Sequence, residues 1–462
     1  MSESLRKLPS VDQILNAASV VPLLKRYRRD VLVDAVRDVL SRWRARLRAG
    51  AENPSRDELM ESICADVLTH CGRWDRPSMR RVINATGVVL HTGLGRAPLA
   101  TKAWETLCNA VRYANVEFDL RSGQRGERTS HVEALLCQLC GAEAVAVVNN
   151  NAAAVLIALS ALSHGRQVLV SRGQLVEIGG SFRIPDVIES SGARIREVGT
   201  TNRTHVRDYE RALDEHTGAI LVVHPSNFRV RGFTAEVELE ELAALARRAE
   251  VPLVYDLGGG VLEDLATWNL PAEPVVRDEL SRGADLVTFS GDKILGGPQA
   301  GIIAGKRELV EAIRTHPLMR ALRCDKLTYA ALEGTLQLYR LRPDVLPDEL
   351  PVLGMLVEPS EAILARARAL AAAIETVGDW QVEVVESQAQ AGSGALPLEE
   401  LSSYAVALTP RRGSVDGLAQ ELRAAEVAVV GRIERERLLL DVRTIAAGEV
   451  DEVVSALRAT RA

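Results

Sequence analysis

The sequence predicts an α/β fold in which a parallel sheet carries helices on both faces. Five short apolar runs, rich in Val and Ile, have the continuous hydrophobicity of strands that are buried on both sides. They are AVAVV (144–148), QVLVS (167–171), AILVVH (219–224), PLVYDL (252–257) and DLVTFS (285–290). Between them lie segments of helical period such as AAAVLIALSAL and LEELAALARRA. Strands and helices that alternate at this spacing indicate an α/β sheet, whose ligands bind where the strands end.

The patterns on either side of this region predict three domains, since 462 residues exceed what one core supports. Residues 1–75 form a small helical unit, in which Leu32, Val36, Val39 and Leu40 share one face of a helix. Residues 76–338 form the large α/β domain. Residues 339–462 form a small α+β domain, because Ala-rich helices there alternate with runs such as VEVVES and RLLLDV.

Composition and charge narrow the function. The chain is 47% hydrophobic and 26% charged, as in globular proteins, and its 4% of aromatics argues against a stacking reader of single-stranded nucleic acid. The N-terminus lacks the apolar core of a signal peptide, which predicts a cytoplasmic location. The net charge is −6, yet residues 1–50 carry eleven Lys and Arg against five Asp and Glu. This excess of six indicates either a polyanionic partner or a solvated basic helix face.

The cysteines predict neither a disulfide framework nor a metal site. A C-x-x-C is formed by Cys137 and Cys140, but these residues lie in a segment of helical period that Gly141 should end. No second pair of Cys or His accompanies them, so we interpret them as thiols on a core helix.

Three strand ends carry polar groups that point to one kind of site. Asn149, Asn150, Asn151 and Ala152 follow the first predicted strand and open a helix, which is typical either of helix capping or of a phosphate site. Asp256 ends a buried strand before three glycines; it could hold a pyridinium N–H, a metal or a ribose.

The third strand end carries Ser290 and Lys293, in SGDKILGGPQAG. A lysine in such a loop can form a Schiff base with an aldehyde, or bind a phosphate without covalent chemistry. Phosphate cradle, Asp and Lys in this order are the arrangement of the aminotransferase-like sheet. The combination predicts a fold-type I enzyme that uses pyridoxal 5′-phosphate.

Longer motifs resemble one family, the bacterial L-seryl-tRNA(Sec) selenium transferases. The matching stretches include RKLPSVDQIL, VINATGVVLHTGLGRAPL (82–99), SRGQLVEIGGSFRIPDV (171–187), VHPSNFRVRGF (223–233), TFSGDKILGGPQAG and HPLMRALRCDKL (316–327). The resemblance covers nearly the whole chain. One departure is Gly93, since HTNLGR is commoner in the family than HTGLGR.

The resemblance implies an enzyme that converts L-seryl-tRNA(Sec) to L-selenocysteinyl-tRNA(Sec) by β-elimination of water and addition of selenium from selenophosphate. It also implies a homodecamer, a pentamer of dimers, whose N-terminal domain grips the tRNA. Lys293 would be the Schiff-base lysine and Asp256 the pyridinium partner. Asn149, Asn150, Asn151, Ala152 and Ser290 would lie near the cofactor phosphate. Arg96 would lie by the substrate, and Arg320 and Arg323 would bind the phosphate of the selenium donor, although such a pair could also be a surface feature.

Two other functions stay open on the residues alone. One is a related pyridoxal-phosphate lyase acting on a small amino acid or sugar amine, which we would expect to lack the basic N-terminal helices. The other is a tRNA-binding protein that has lost catalysis, which the intact Asp256 and Lys293 disfavour.

Overall fold

The computed structural model describes residues 3–49, 55–75, 77–178, 182–228, 230–378, 380–392, 394, 396 and 400–460. Residues 179–181 and 229, which belong to two of the motifs above, lie outside the described residues. The chain divides into an N-terminal unit, Met1–Arg81, and a main unit, Val82–Ala462. In the part of the chain described, no helix is both long and apolar enough to cross a membrane.

The N-terminal unit is helical over its described residues. Its helices are α1 (Glu3–Arg6), α2 (Val11–Leu15), α3 (Val21–Leu24), α4 (Arg29–Arg48) and α5 (Arg56–Gly72). Helix α5 begins at a capping box, because Ser55 and Glu58 each accept a backbone N–H of the other. The predicted apolar face of α4 is buried, and it packs with Ile14, Leu59 and Ile63 into one core.

The main unit contains two larger sheets and a small hairpin, within the residues described. Its strands are β1 (Val82–Ala85), β2 (Ala144–Val148), β3 (Gln167–Ser171), β4 (Glu177–Ile178), β5 (Phe182–Arg183), β6 (Arg194–Val198), β7 (Thr217–Val223), β8 (Leu253–Gly258), β9 (Leu286–Ser290), β10 (Gly301–Gly305), β11 (Trp380–Gln390), β12 (Glu400–Pro410), β13 (Ala428–Glu434) and β14 (Arg437–Asp441).

The helices of the main unit cover these sheets. They are α6 (Thr101–Ala110), α7 (Ser130–Cys140), α8 (Asn151–Ser163), α9 (Ile184–Ser190), α10 (Val206–Ala212), α11 (Leu239–Arg248), α12 (Val276–Ser281), α13 (Arg307–Thr315), α14 (Leu318–Leu322), α15 (Lys326–Leu338), α16 (Leu346–Glu349), α17 (Pro351–Val357), α18 (Ser360–Glu375), α19 (Val415–Ala424) and α20 (Val450–Ala459).

The large sheet contains all five strands that the sequence predicts. Its order is β2-β10-β9-β8-β7-β3-β6. The pairs among β6, β3, β7, β8 and β9 are parallel, whereas β10 runs antiparallel to both β9 and β2. Strands β2, β7 and β9 are buried at every position, as continuous hydrophobicity predicts. The sheet is therefore mixed rather than wholly parallel, and the two apolar cores lie on its opposite faces.

The small sheet joins the two ends of the main unit. Its order is β1-β13-β14-β12-β11, and β1 pairs in parallel with β13. The division of residues 76–338 and 339–462 into two domains stays a prediction. What the structure adds is that β1, at the start of the main unit, lies in the sheet formed by its C-terminal strands.

Candidate active site

The carboxyl ends of β7, β8 and β9 meet the first turn of α8 at one cavity. Its volume is about 510 Å³, within the range of small-molecule sites. We call it the strand-end cavity. Seven of the residues singled out in the sequence line it, namely Arg96, Asn150, Asn151, Ala152, Asp256, Ser290 and Lys293.

Asp256 lies at the floor of this cavity and is buried. Its Oδ1 accepts hydrogen bonds from Asn151 Nδ2 at 2.7 Å and from Thr288 Oγ1 at 2.9 Å. Burial raises the pKa of the Asp256 carboxyl, opposed by these two hydrogen bonds and by Lys293. Among the described residues Oδ2 has no hydrogen-bond partner. The carboxylate therefore keeps one oxygen for a cationic N–H donor in the cavity.

Lys293 places an amine in the same cavity. The side chain is buried, and Nζ makes neither a hydrogen bond nor an ion pair within the part of the chain described. Burial lowers the pKa of this amine; Asp256 raises it and Arg96 lowers it further. A buried lysine with a lowered pKa holds more of the neutral, nucleophilic form than a surface lysine does.

The first turn of α8 offers backbone N–H groups to the cavity. Asn150 caps the helix, since its Oδ1 accepts the N–H of Ala153 at 2.9 Å. The Oδ1 of Asn151 is buried without a partner among the described residues. Opposite them, a Cβ added to Gly301 would lie 2.1 Å from the backbone O of Asn150, so only glycine allows this approach. Asn149 is exposed and is not part of the lining.

Arg96 reaches the cavity from the segment that follows β1. Its Nη1 donates to Asp292 Oδ2 at 2.7 Å. Asp292 is buried, and it directly precedes Lys293 in the sequence. The backbone of Arg96 has φ 61°, a conformation that costs about 1–3 kcal/mol for a residue with a Cβ. Its Nε is buried without a partner among the described residues. A donor is thus held ready for an anionic or carbonyl group of a ligand.

Arg320 and Arg323 do not line the strand-end cavity. Arg320 is exposed on α14, and Arg323 follows that helix with its Nη1 3.5 Å from Glu117 Oε1. The backbone there lies beside the site, since Leu322 O accepts the N–H of Asn149. This arrangement neither brings the two guanidiniums together with Lys293 nor tests their predicted role.

Cys137 and Cys140 lie on a helix, as the helical pattern predicts. Helix α7 ends at Cys140, and Gly141 follows it in the left-handed conformation. Cys140 is buried, and burial raises the pKa of its thiol to about 12. Within the described residues, no group of three His, Cys, Asp or Glu could hold a metal ion.

Sequence reasoning missed four residues of the site. Thr288 and Asp292 flank the predicted lysine strand end, and His224 was counted as the last residue of a strand. Glu273 contacts His224 from the loop before α12. His224 could have been found, because it follows a buried strand as Asp256 does, but Glu273 carries no local signal.

Comparison with known proteins gives two family matches. The family described as "L-seryl-tRNA selenium transferase" matches residues 82–446, and "Selenocysteine synthase N terminal" matches residues 5–44. An L-seryl-tRNA(Sec) selenium transferase of Carboxydothermus hydrogenoformans is 47% identical over 98% of this chain and 96% of its own. One of Geobacter sulfurreducens is 49% identical over 98% of both chains.

A solved structure agrees on the fold. That of a D-glucosaminate-6-phosphate ammonia-lyase covers 85% of this chain and 97% of its own, with a TM-score of 0.55 and 21% identity. At this identity the likeness concerns the fold alone. The fold is the fold-type I, aspartate aminotransferase-like α/β class that the strand ends predict.

Proposed function

The chain belongs to the L-seryl-tRNA selenium transferase family, and from this membership we propose that it converts L-seryl-tRNA(Sec) to L-selenocysteinyl-tRNA(Sec) with selenophosphate as the selenium donor. Family relatives match both ends of the chain at 47–49% identity, which disfavours the related lyase as an alternative. The observation that carries the proposal is the strand-end cavity, where the free amine of Lys293 and the open oxygen of Asp256 face one space.

The cavity fits pyridoxal 5′-phosphate on three grounds. Asp256 Oδ2 is available to the ring N–H. The first turn of α8, opposite Gly301, offers N–H groups to a phosphate, with Asn150, Ala152 and Ser290 in the lining and Asn149 just before them, outside the lining. The unpaired Asn151 Oδ1 adds a polar atom that a ligand or a water could satisfy. We propose that Lys293 holds the cofactor covalently.

With the cofactor bound, Lys293, Asp256 and Arg96 would each have a separate role in the reaction. When bound, the cofactor supplies an electron sink for negative charge at the substrate Cα. Once the amine of the seryl group has displaced it, Lys293 would take the Cα proton at Nζ, which its lowered pKa makes available as a base. Asp256 holds its negative charge against the ring N–H, and Arg96 binds the substrate from the Asp292 side.

We further propose that Arg320 and Arg323 bind the phosphate of the selenium donor. Their support is the family resemblance together with the closeness of α14 to the Asn149 backbone. A double replacement by Gln should raise the KM for selenophosphate while the dehydration of seryl-tRNA continues. An unchanged KM would remove the two arginines from the donor site.

The N-terminal unit is the proposed tRNA-binding part. Near the start of α4 the arginines are paired, since Arg28, just before the helix, and Arg37 contact Asp30 and Asp34. The second half carries four arginines, at positions 42, 44, 46 and 48, and no acid of its own, and Arg42 reaches back to Asp38 at 3.2 Å. Such a surface suits a polyanion, bound mainly through phosphates.

Arg42 and Arg46 line one notch between α4 and α5, together with Arg73. Arg46 lies over the ring of Trp43 at 4.5 Å, and Arg42 lies 3.0 Å from His70 Nδ1, so both guanidiniums are held in fixed places. A notch of this kind fits a phosphate of an RNA backbone, recognised by shape rather than by base edges.

Self-association is also proposed, as a homodecamer of five dimers. Large apolar side chains stand exposed near α6, among them Trp104, Tyr113 and Leu120. Aromatic side chains such as these are enriched at interfaces between chains. Sedimentation of the purified chain would test the size, and a monomer at micromolar concentration would contradict it.

The proposed function is tested with Lys293→Ala. We expect the visible absorbance of the bound cofactor and the formation of selenocysteinyl-tRNA to disappear together. A Lys293→Ala protein that keeps both would refute the assignment. Binding of seryl-tRNA(Sec) compared with seryl-tRNA(Ser) tests the substrate, and equal affinity for the two would contradict the selenocysteine role.

A further inference from the structure

His224 lines the strand-end cavity and Glu273 contacts it, and this acid–base pair has no part in the mechanism above. His224 follows β7 and lines the cavity beside Asp256, because its backbone N–H donates to Asp256 O at 2.9 Å. Its ring Nε2 lies 3.3 Å from Glu273 Oε2, and the Glu273 side chain is only 6% exposed. A buried carboxylate needs a partner, and here the imidazole supplies it.

The contact with Glu273 fixes how His224 carries its protons. The carboxylate accepts a hydrogen bond from Nε2–H, so Nδ1 is the nitrogen that can exchange a proton with a ligand. Nδ1 makes no hydrogen bond within the described residues, so this second nitrogen is available to a ligand. Glu273 lies against the ring, and the charged residues Arg96, Asp256, Asp292 and Lys293 line the same cavity.

The reaction proposed above needs a second proton transfer, besides the one from Cα to Lys293. When the Cα–H bond breaks, its proton goes to Lys293 and its electron pair is left at Cα; this pair forms the Cα=Cβ bond only as the Cβ–O bond breaks. The Cβ–O bond then breaks with its electron pair on oxygen. Hydroxide is a poor leaving group, so this oxygen needs a proton as it departs. Lys293 could give this proton only after it has taken the one from Cα, whereas a separate acid can act as soon as the oxygen departs.

We propose that His224, oriented by Glu273, is the general acid that protonates the departing serine hydroxyl through Nδ1. The proton leaves the imidazole, water leaves Cβ, and the net transfer is one proton from His224 to the hydroxyl and one from Cα to Lys293. Solvent returns both groups to their starting state. The inference rests on the proposed function, and it makes Glu273 a positioning residue.

Glu273 has a second contact that makes the test cleaner. Its Oε1 accepts the backbone N–H of Leu396 at 3.1 Å, so removing the whole side chain would also release that segment. Glu273→Gln keeps an oxygen for Leu396 but can turn an NH₂ toward Nε2, which disfavours hydrogen there and reverses the tautomer. Glu273→Gln therefore perturbs the imidazole while sparing the backbone contact.

The experiment separates proton removal from dehydration. Holoenzyme is incubated with seryl-tRNA in D₂O, and mass spectrometry measures deuterium at Cα of the recovered serine alongside loss of the hydroxyl. We expect His224→Asn to retain or increase the exchange at Cα while dehydration falls about 100-fold or more. Affinity for pyridoxal phosphate and the melting temperature should stay near the wild-type values. Glu273→Gln should lower dehydration about tenfold or more, and the double variant should be no worse than His224→Asn.

The control is His216→Asn, which removes an exposed histidine that also lies beside a glutamate, at 3.9 Å. It should leave exchange and dehydration unchanged. Equal falls of exchange and dehydration in His224→Asn, or no fall in either, would overturn the acid role. A loss of cofactor affinity would instead assign His224 to cofactor binding and also overturn it. If the wild-type holoenzyme neither exchanges nor dehydrates seryl-tRNA, the proposed function itself fails, and the two failures are thereby distinguished.

Discussion

Replacing Asp256 by Asn should separate the chemistry of the cavity from its stability. The amide oxygen of Asn can still accept the hydrogen bonds from Asn151 and Thr288 that now end on Oδ1. The other atom changes from an acceptor to a donor, so it would oppose a ring N–H. Loss of one partner from a buried charge pair costs about 3–5 kcal/mol. At about 1.4 kcal/mol for each factor of ten, turnover should fall between roughly a hundredfold and a few thousandfold.

Although turnover falls, the cofactor-free Asp256→Asn protein should be no less stable than the cofactor-free wild type. Burial raises the pKa of Asp256, so the folded state binds its proton more tightly than the unfolded state does. Such a group lowers the free energy of unfolding as pH rises from the unfolded pKa of about 3.9 to the raised folded pKa. Because Asn does not titrate, Asp256→Asn removes this decrease in the free energy of unfolding. Above that window the cofactor-free variant should be at least as stable as the wild type.

Three measurements check this prediction. Turnover of seryl-tRNA, titration with pyridoxal phosphate and chemical denaturation at several pH values are compared between the two proteins. Asp416→Asn, an exposed aspartate in the first turn of α19, serves as the control and should change none of them. Turnover within threefold of wild type, or a cofactor-free Asp256→Asn protein that is clearly less stable at neutral pH, would refute the reasoning.

Other predictions concern the amine of Lys293, the arginines of α4 proposed to bind tRNA, and the close approach of Gly301 to the backbone of Asn150. Because burial lowers the pKa of Lys293, trapping of pyridoxal phosphate on it with borohydride should persist at pH values where ordinary lysines are protonated; a midpoint at or above about 10.4 would contradict this. Replacing Arg42 and Arg46 by Gln should weaken tRNA binding and lower the slope of log K against log salt by about two, while an unchanged slope would move the contact elsewhere. Gly301→Ala should weaken cofactor binding, whereas Gly259→Ala, whose Cβ meets nothing within 4 Å, should not. Equal cofactor affinities of the two variants would refute the phosphate site proposed at the first turn of α8.

Local signals predicted the parts of the site that follow buried strands. Asp256 lies near the end of one apolar strand and Lys293 lies three residues after another, and parallel strands bring such ends to one edge, so the pattern predicted that the two side chains meet. Strand β10 was missed because GIIAG is short, lies between glycines and runs against its neighbours. No periodicity signals an antiparallel partner.

Pairings between distant segments were beyond the sequence. Glu273 looks like any loop glutamate until the fold brings it to His224. The role of Arg323 at a ligand stays a prediction, and the position of its guanidinium near Glu117 could not be predicted from the sequence. Such choices depend on which opposite charge is nearest after folding, and spacing along the chain does not encode that.

Because β1 pairs with β13, the small sheet cannot form until late in the synthesis of the chain. Arg432 Nη1 donates to the backbone O of Thr86, 346 positions away, and Gly87 N–H reaches Thr444. A ribosome adding about 5–20 residues each second needs roughly tens of seconds to deliver that partner strand. Until then, the segment that leads to Arg96 has no sheet to join. The nascent chain must therefore keep its first strand unpaired through most of translation, so chaperones that shield exposed strand edges should bind it before they bind the finished protein.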